Sequence, residues 1–158
     1  MTRSSLPEHH LARLTRLRRL SRLLDNAIAL PGTDYRVGLD PLIGLLPGGG
    51  DLFTGLLSVY ILLEAARFKV PAATLGRMGF NILLEVVTGT IPVVGDLFDV
   101  AWKANAQNVA LLERHLQAPR PSTLADQIFA VAIIALLLFV IISIAGFSIW
   151  LVRQILQL

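Results

Sequence analysis

Gly44-Leu-Leu-Pro-Gly-Gly-Gly-Asp-Leu-Phe53 recurs 45 residues later as Gly89-Thr-Ile-Pro-Val-Val-Gly-Asp-Leu-Phe98. The two copies share the pattern G-x-x-P-x-x-G-D-L-F without a gap. A repeat at this spacing indicates two copies of one supersecondary unit. The rest of the chain is arranged around this duplication.

The repeated phrase combines a helix stop with a helix start. Its first glycine lets the backbone leave a helix, and its proline prevents that helix from continuing. Asp51 and Asp96 then stand where a carboxylate can accept hydrogen bonds from the first N–H groups of a new helix. Each repeat is therefore predicted to form a helix, a sharp loop and a second helix.

The composition indicates contact with a bilayer. Hydrophobic residues make up 54% of the 158 residues, and charged residues make up 16%, against about 25% charged residues in soluble domains. The chain has no cysteine. This absence excludes disulfides, thiolate metal sites and a cysteine nucleophile.

Residues 1–30 form a basic segment, and the pattern within residues 5–30 predicts an amphipathic helix. Leucines occupy one broad face, and arginines lie opposite them or at its edge. The arginines that could meet a membrane surface are Arg13, Arg16, Arg18, Arg19 and Arg22. Such a face suits anionic lipid headgroups, but it equally suits a helix packed on the rest of the protein. An organelle transit peptide shares this composition. Nucleic-acid binding is not expected, because no aromatic residue interleaves the arginines.

Residues 31–117 hold the duplicated region. The stretch 39–63 is long enough to cross a bilayer, but Pro47-Gly-Gly-Gly50 interrupts it. Its second piece, 52–63, would be a helix of about 18 Å, which is too short to span. We therefore expect a re-entrant or broken helix, or a helical hairpin buried in a bundle.

The second repeat begins with an apolar helix over 72–88 and continues with a more polar helix over 96–116. The first carries Arg77, Asn81 and Glu85 at intervals of four residues. This spacing places them on one face, which should point into the bundle. The second helix is expected to be interfacial or aqueous.

Residues 118–126 read as a stiff linker, and residues 127–153 as a transmembrane helix. No charge occurs between Ile128 and Val152, a length of about 37 Å of helix. Thr123 and Asp126 have the spacing of a capping box at its start. Basic residues are more numerous before this span than after it, which favours an N-terminus in the cytoplasm and a C-terminus outside.

The functional candidates are carboxylates in or near the repeats: Asp40, Asp51, Glu85, Asp96 and Asp99. One interpretation is structural, with Asp51 and Asp96 as helix caps and Asp40 and Glu85 in salt bridges with Arg36 and Arg77. The other is ion or proton handling at broken helix ends. No zinc-binding, phosphate-loop or nucleophile motif occurs. We therefore expect no enzyme, cofactor or metal.

Several runs resemble a known family. Arg36-Val-Gly-Leu-Asp-Pro-Leu-Ile-Gly44, the two repeated phrases, Leu63-Glu-Ala-Ala66 and Asp99-Val-Ala-Trp-Lys-Ala-Asn105 are similar to an uncharacterised bacterial family catalogued as domain of unknown function 4112. The resemblance covers about residues 20 to 116. It implies a bacterial membrane-associated protein, and it implies no activity or catalytic residue.

The sequence thus predicts an all-α membrane protein with two helix–loop–helix repeats and a C-terminal transmembrane helix. The leading hypothesis is a small structural or interaction module in the bacterial inner membrane. The alternative is a component of an ion or proton channel or transporter that uses the repeat carboxylates. The expected partners are the lipid bilayer and its anionic headgroups, with a protein partner or a second copy also open, and no nucleic acid.

Overall fold

A computed structural model describes residues 8–26, 28–29, 36–37, 50–89 and 103–156. These residues form five helices and one short antiparallel ladder, which confirms the predicted all-α class. The helices are α1 (Glu8–Asn26), α2 (Gly50–Arg67), α3 (Ala72–Gly89), α4 (Ala104–Gln117) and α5 (Leu124–Leu156), and the strands are β1 (Ile28–Ala29) and β2 (Arg36–Val37).

The predicted N-terminal helix is too long at its C-terminal end. Instead of continuing to residue 30, α1 ends at Asn26, and Ile28 pairs with Val37 in the ladder. Pairing between strands holds the backbone of Ile28 and Ala29 extended, so these residues are not part of α1.

Helices α2 and α3 form an antiparallel hairpin with a tight turn at residues 68–71. The N–H groups of Phe68 and Lys69 donate to carbonyls in the last turn of α2, and Lys69 has a φ of 59°. Pro71 then opens α3, where its carbonyl accepts from Thr74 and Leu75. The predicted start of this helix at residue 72 is confirmed.

The hairpin occupies the middle of three layers. Helix α5 packs along one side of it, α4 packs on the other, and α1 covers α4. The most deeply buried apolar side chains come from the middle layer and from α4 and α1. They include Leu17, Ile61, Leu62, Met78, Ile82 and Leu112.

Glycines bring α5 close to the hairpin. A Cβ placed on Gly79 would overlap the side chain of Ile133, and one on Gly55 would lie 3.1 Å from Ile141 Cδ1. Gly76 faces Phe129. The order of these contacts shows that α5 runs parallel to α3 and antiparallel to α2.

A capping box starts α5, as predicted. The backbone N–H of Thr123 donates to Asp126 Oδ2 at 2.7 Å, and the N–H of Asp126 donates to Thr123 Oγ1 at 3.2 Å. Asp126 Oδ1 also accepts from the N–H of Ala72 at 2.8 Å, so one carboxylate serves the starts of α3 and α5. The helix therefore begins at Leu124, and the connection is shorter than the predicted linker 118–126.

Helix α5 is long and apolar enough to cross a membrane, and in the described part of the chain it is the one helix that meets this test. It has 33 residues and contains the predicted span. Ala130, Leu137 and Ile141 are buried against the hairpin. Large apolar side chains on its other faces are exposed, among them Val131, Leu136, Phe139, Ile142, Phe147 and Trp150.

The repeated phrases lie largely outside the described residues. Gly50 begins α2, and Gly89 ends α3. Both glycines are at the end of the hairpin that lies opposite the 68–71 turn. The start of the predicted helix 96–116 also lies outside the description, which resumes at Lys103.

Candidate functional site

A set of polar side chains lies between the hairpin and the α1–α4 layer. We call it the interior polar network; its members are Asp25, Ser58, Asn81, Glu85, Asn105 and Asn108. Five of them are buried, and Glu85 is half-buried. Buried polar groups need hydrogen-bond partners to offset the loss of water, so their contacts constrain how the helices fit together.

Asp25 in α1 caps α4 from another part of the chain. Its Oδ2 accepts from the backbone N–H of Ala106 at 2.6 Å. Lys103, which precedes the helix, makes no side-chain cap. The carboxylate also lies at the positive end of the α4 dipole. Asp25 therefore fixes the C-terminal end of α1 to the N-terminal end of α4.

Asn105 connects Asp25 with the hairpin. Its Nδ2 donates to Asp25 Oδ1 at 2.9 Å and to Glu85 Oε1 at 3.4 Å. Glu85 Oε2 in turn accepts from Ser58 Oγ at 3.2 Å. Asn105 Oδ1 is buried and accepts no hydrogen bond within the described residues. The chain of contacts thus runs from α1 through α4 to α3 and α2.

A second pair of asparagines joins α3 to α4. Asn81 Nδ2 donates to Asn108 Oδ1 at 2.9 Å, and Asn108 Nδ2 donates to the carbonyl of Met78 at 3.2 Å. Because each amide needs a partner at one position, a slip of either helix would strand a buried polar group.

Burial changes the acidity of Asp25. It raises the pKa of the carboxyl from an ordinary value of 3.8 to about 6, although hydrogen bonds from Ala106 and Asn105 and the charge of Lys103 act in the opposite direction. The side chain therefore changes its charge close to neutral pH.

A second carboxylate joins α1 to the hairpin turn. Glu64 accepts from Arg13 at 2.6 and 2.8 Å and from Arg67 at 2.5 Å. The Arg13 guanidinium also lies 4.8 Å from the centre of the Phe68 ring. Burial raises the pKa of Glu64, but the hydrogen bonds and the positive charges of the two arginines together outweigh it, and the pKa lies below its ordinary value.

Of the carboxylates predicted as candidates, Glu85 is the one whose side chain the structure describes, and it belongs to the network. Its hydrogen bonds to Ser58 and Asn105 involve residues other than Arg77, the predicted partner, which is exposed. Asp51 is the second residue of α2 and not the residue before it, and its side chain lies outside the description. Asp40, Asp96 and Asp99 lie outside the described residues altogether.

The five predicted surface arginines fall into two groups. Arg13 and Arg18 are bound in ion pairs, with Glu64 and Glu113 respectively. Arg16, Arg19 and Arg22 are exposed. Leu14, Leu17 and Leu24 are buried. The leucine face of α1 therefore packs on the protein itself, and the exposed arginines remain available to a surface.

Sequence reasoning missed Asp25, Ser58, Asn105 and Asn108. The two asparagines share a helical stripe with Val109 and Leu112, and all four are buried. Two amides on the apolar stripe of an amphipathic helix are a sequence signal for an interior network. Asp25 gave no such signal, since its partner is 80 residues away.

The described residues contain no cluster of three or more histidine, cysteine or acidic side chains that could hold a metal.

These features define a helical bundle with an interior polar network and an apolar C-terminal helix of membrane-spanning length. Residues 13–116 match the family described as a domain of unknown function, DUF4112, and the chain belongs to this family. No curated protein and no solved structure matches the chain. Helix α5 lies outside the matched residues.

Proposed function

We propose that the protein is a small integral membrane protein, anchored by α5, whose helical bundle is a structural or interaction module for a protein partner or a second copy. The observation that supports this proposal is the outward surface of α5. Phe139 and Val131 are each 70% exposed. Of the most apolar 18-residue stretch of the helix, only 17% is buried. Soluble proteins rarely leave such a continuous apolar surface in water.

The helix contacts limit how the bundle would sit. A hydrocarbon core of ~30 Å needs about 20 residues, and counting back from Arg153 assigns residues 133–152 to it. Contacts with the hairpin reach at least Ile141 of α5, which lies against Gly55. The hairpin would therefore enter the membrane part of the way, with its Gly50 and Gly89 end deepest.

The exposed apolar residues of the hairpin fit this placement. Phe53 and Leu56 near the start of α2 are 52% and 41% exposed, and Val87 near the end of α3 is 46% exposed. Glu64 and Arg67 lie at the opposite end. Most of the predicted interruption at Pro47-Gly-Gly-Gly50 lies outside the described residues.

We further propose that the bundle faces the cytoplasm of a bacterial cell, at the inner membrane, and that the C-terminus is outside. Lys103, Arg114 and Arg120 precede the span, and Arg153 follows it. The exposed arginines of α1 would lie near the anionic headgroups on the same side. A phosphatase fused after Leu158 should be active, and activity of a cytoplasm-dependent fluorescent protein at that position would reverse the orientation.

Extraction of membranes at alkaline pH tests the anchor. The full chain should remain in the membrane pellet. Replacing Phe139 and Ile142 by lysine should release it, since each lysine at the centre of a span costs about 2.5–3.5 kcal/mol. The matched control is Leu11→Lys on α1, where the side chain is also exposed, and this variant should stay in the pellet. Release of the unaltered chain would contradict the proposal.

A second candidate function is ion or proton conduction. The observation in its favour is the hydrogen-bonded connection from Asp25 through Asn105 to Glu85. A conducting role requires that Glu85→Gln change the proton or cation permeability of vesicles containing the protein. We expect equal permeability for the two proteins, because a structural module needs hydrogen bonds at this position and not a titrating charge.

A further inference from the structure

The groove between α3 and α4 combines two cations with apolar and amide side chains. It has a volume of about 500 Å³, and Arg77 and Arg114 line it together with Phe80, Leu111, Asn81 and Gln107. No acidic residue is among the side chains that line it. The guanidinium of Arg77 makes no hydrogen bond or ion pair with the described residues, and the Nε of Arg114 donates to the carbonyl of Ala110.

A neighbouring groove between α1 and α4 shows the opposite arrangement. Arg18 and Arg22 line it, but so does Glu113, whose carboxylate accepts from Arg18 Nε at 2.5 Å. That groove carries its own counter-charge. The α3–α4 groove instead presents two guanidinium groups without a carboxylate, and this charge is complementary to an anion that carries several acceptor oxygens.

An apolar track leads away from the two arginines along α3. Phe80 is 59% exposed, and Val87 lies seven residues further on, on the same face. The track runs toward Gly89. Because α3 and α5 are parallel and Gly76 faces Phe129, Arg77 lies at the level where α5 begins, and Val87 lies deeper along the proposed span.

We propose that this groove binds one anionic phospholipid. Its phosphate lies between Arg77 and Arg114, and one acyl chain follows Phe80 and Val87. This inference rests on the proposed membrane location, which places the arginines at headgroup level and the apolar track in the hydrocarbon. Gly76 lines the groove and also faces Phe129 of α5, so the groove borders the proposed anchor and the ligand would enter from the bilayer.

Native mass spectrometry of the full chain in detergent tests the proposal. Phosphatidylglycerol, phosphatidylcholine and inorganic phosphate are added separately to the unaltered protein, to Arg77→Gln/Arg114→Gln, and to the charge-matched control Arg19→Gln/Arg153→Gln. The unaltered protein and the control should each retain one phosphatidylglycerol. Loss of both groove arginines should weaken this binding at least about tenfold, since one hydrogen bond to a charged group is worth about that factor. Phosphatidylcholine and phosphate should bind weakly to all three proteins.

Equal binding of phosphatidylglycerol to the groove variant and the control would overturn the proposal. So would displacement of the lipid by inorganic phosphate at equal concentration, which would identify a site for free phosphate. Alkaline extraction of the groove variant separates this test from that of the anchor. The variant should remain in the membrane pellet, because the lipid site and the anchor are independent. Thermal melting should show that both double variants are folded.

Discussion

The two faces of the α2–α3 hairpin are built in different ways. Toward α4 and α1 an apolar core also contains polar contacts, with Asn81 on Asn108 and Glu85 on Asn105, and we call this side the polar face. Toward α5 the contacts are apolar, and Gly55 and Gly79 allow isoleucines to approach the helix backbone. The polar face requires one register between helices, because a shift of one helix along another would leave buried polar groups without hydrogen-bond partners. The glycine face sets the distance between helices.

The largest effect should come from breaking the polar face at Asp25. Asp25→Ala removes the acceptor for the Ala106 N–H and for Asn105 Nδ2. A lost cap and a stranded buried donor together cost about 2–4 kcal/mol of unfolding free energy. Chemical denaturation in detergent micelles measures this quantity. The control is Arg22→Ala, an exposed position in the same helix, which should change stability by less than about 0.5 kcal/mol.

The same residue should make the stability of the polar face depend on pH. Because burial raises the pKa of Asp25 from 3.8 to about 6, the folded state holds a proton that the unfolded chain has released between these values. The stabilisation of the folded state by this proton is complete below about pH 4 and is lost as the pH rises through 6. The free energy of unfolding should fall by about 3 kcal/mol over this range. Asp25→Asn should not show this loss. The difference in unfolding free energy between the two proteins, measured from pH 4 to 7, isolates the effect from other carboxylates, and a constant difference would contradict the account.

The glycine face should respond less strongly. Gly79→Leu places a side chain where Ile133 lies, and overpacking of this kind costs about 1–3 kcal/mol, partly offset by the better helix propensity of leucine. The matched control is Gly146→Leu in α5, where nothing lies within 4 Å of the added Cβ. This control should be neutral or slightly stabilising. Equal stability of the two variants would show that α5 does not approach α3 as closely as described.

The smallest effect should come from the shared cap at the hairpin turn. Thr123→Ala removes the hydroxyl that accepts from the Asp126 N–H and donates to Asp126 Oδ2, at a cost of about 1 kcal/mol. Asp126→Ala should cost more, since it also removes the acceptor for Ala72 in α3. Thermal melting of the two variants shows which substitution lowers the melting temperature more. The reverse order would mean that Asp126 does not connect α3 with α5.

Local signals accounted for much of the fold. The start of α3 at residue 72 and the Thr123–Asp126 capping box depend on residues that are close in sequence, and the sequence predicted them correctly. The apolar length of α5 was equally plain. These features require knowledge of a few neighbouring residues, which composition and spacing supply.

The candidate site was predicted less well, because its contacts are distant in sequence. Glu85 was selected for its place in the repeat, whereas its partners, Ser58 and Asn105, lie 27 and 20 residues away. Asp25 meets Asn105 across 80 residues. The end of α1 was misplaced for a similar reason, since the ladder that includes Ile28 needs a partner strand at Val37. Pairings of this kind depend on how the helices pack.

The most direct test of the central claim compares aqueous access at two positions of similar exposure in the bundle. The chain has no cysteine, so Phe53→Cys and Leu11→Cys can each be labelled in intact membranes by a water-soluble maleimide. Phe53 is 52% exposed and Leu11 is 47% exposed. If the hairpin enters the bilayer, Phe53→Cys should be protected until detergent is added, and Leu11→Cys should react at once when the cytoplasmic side is open. Equal and rapid labelling of both positions would contradict a hairpin inserted beside α5.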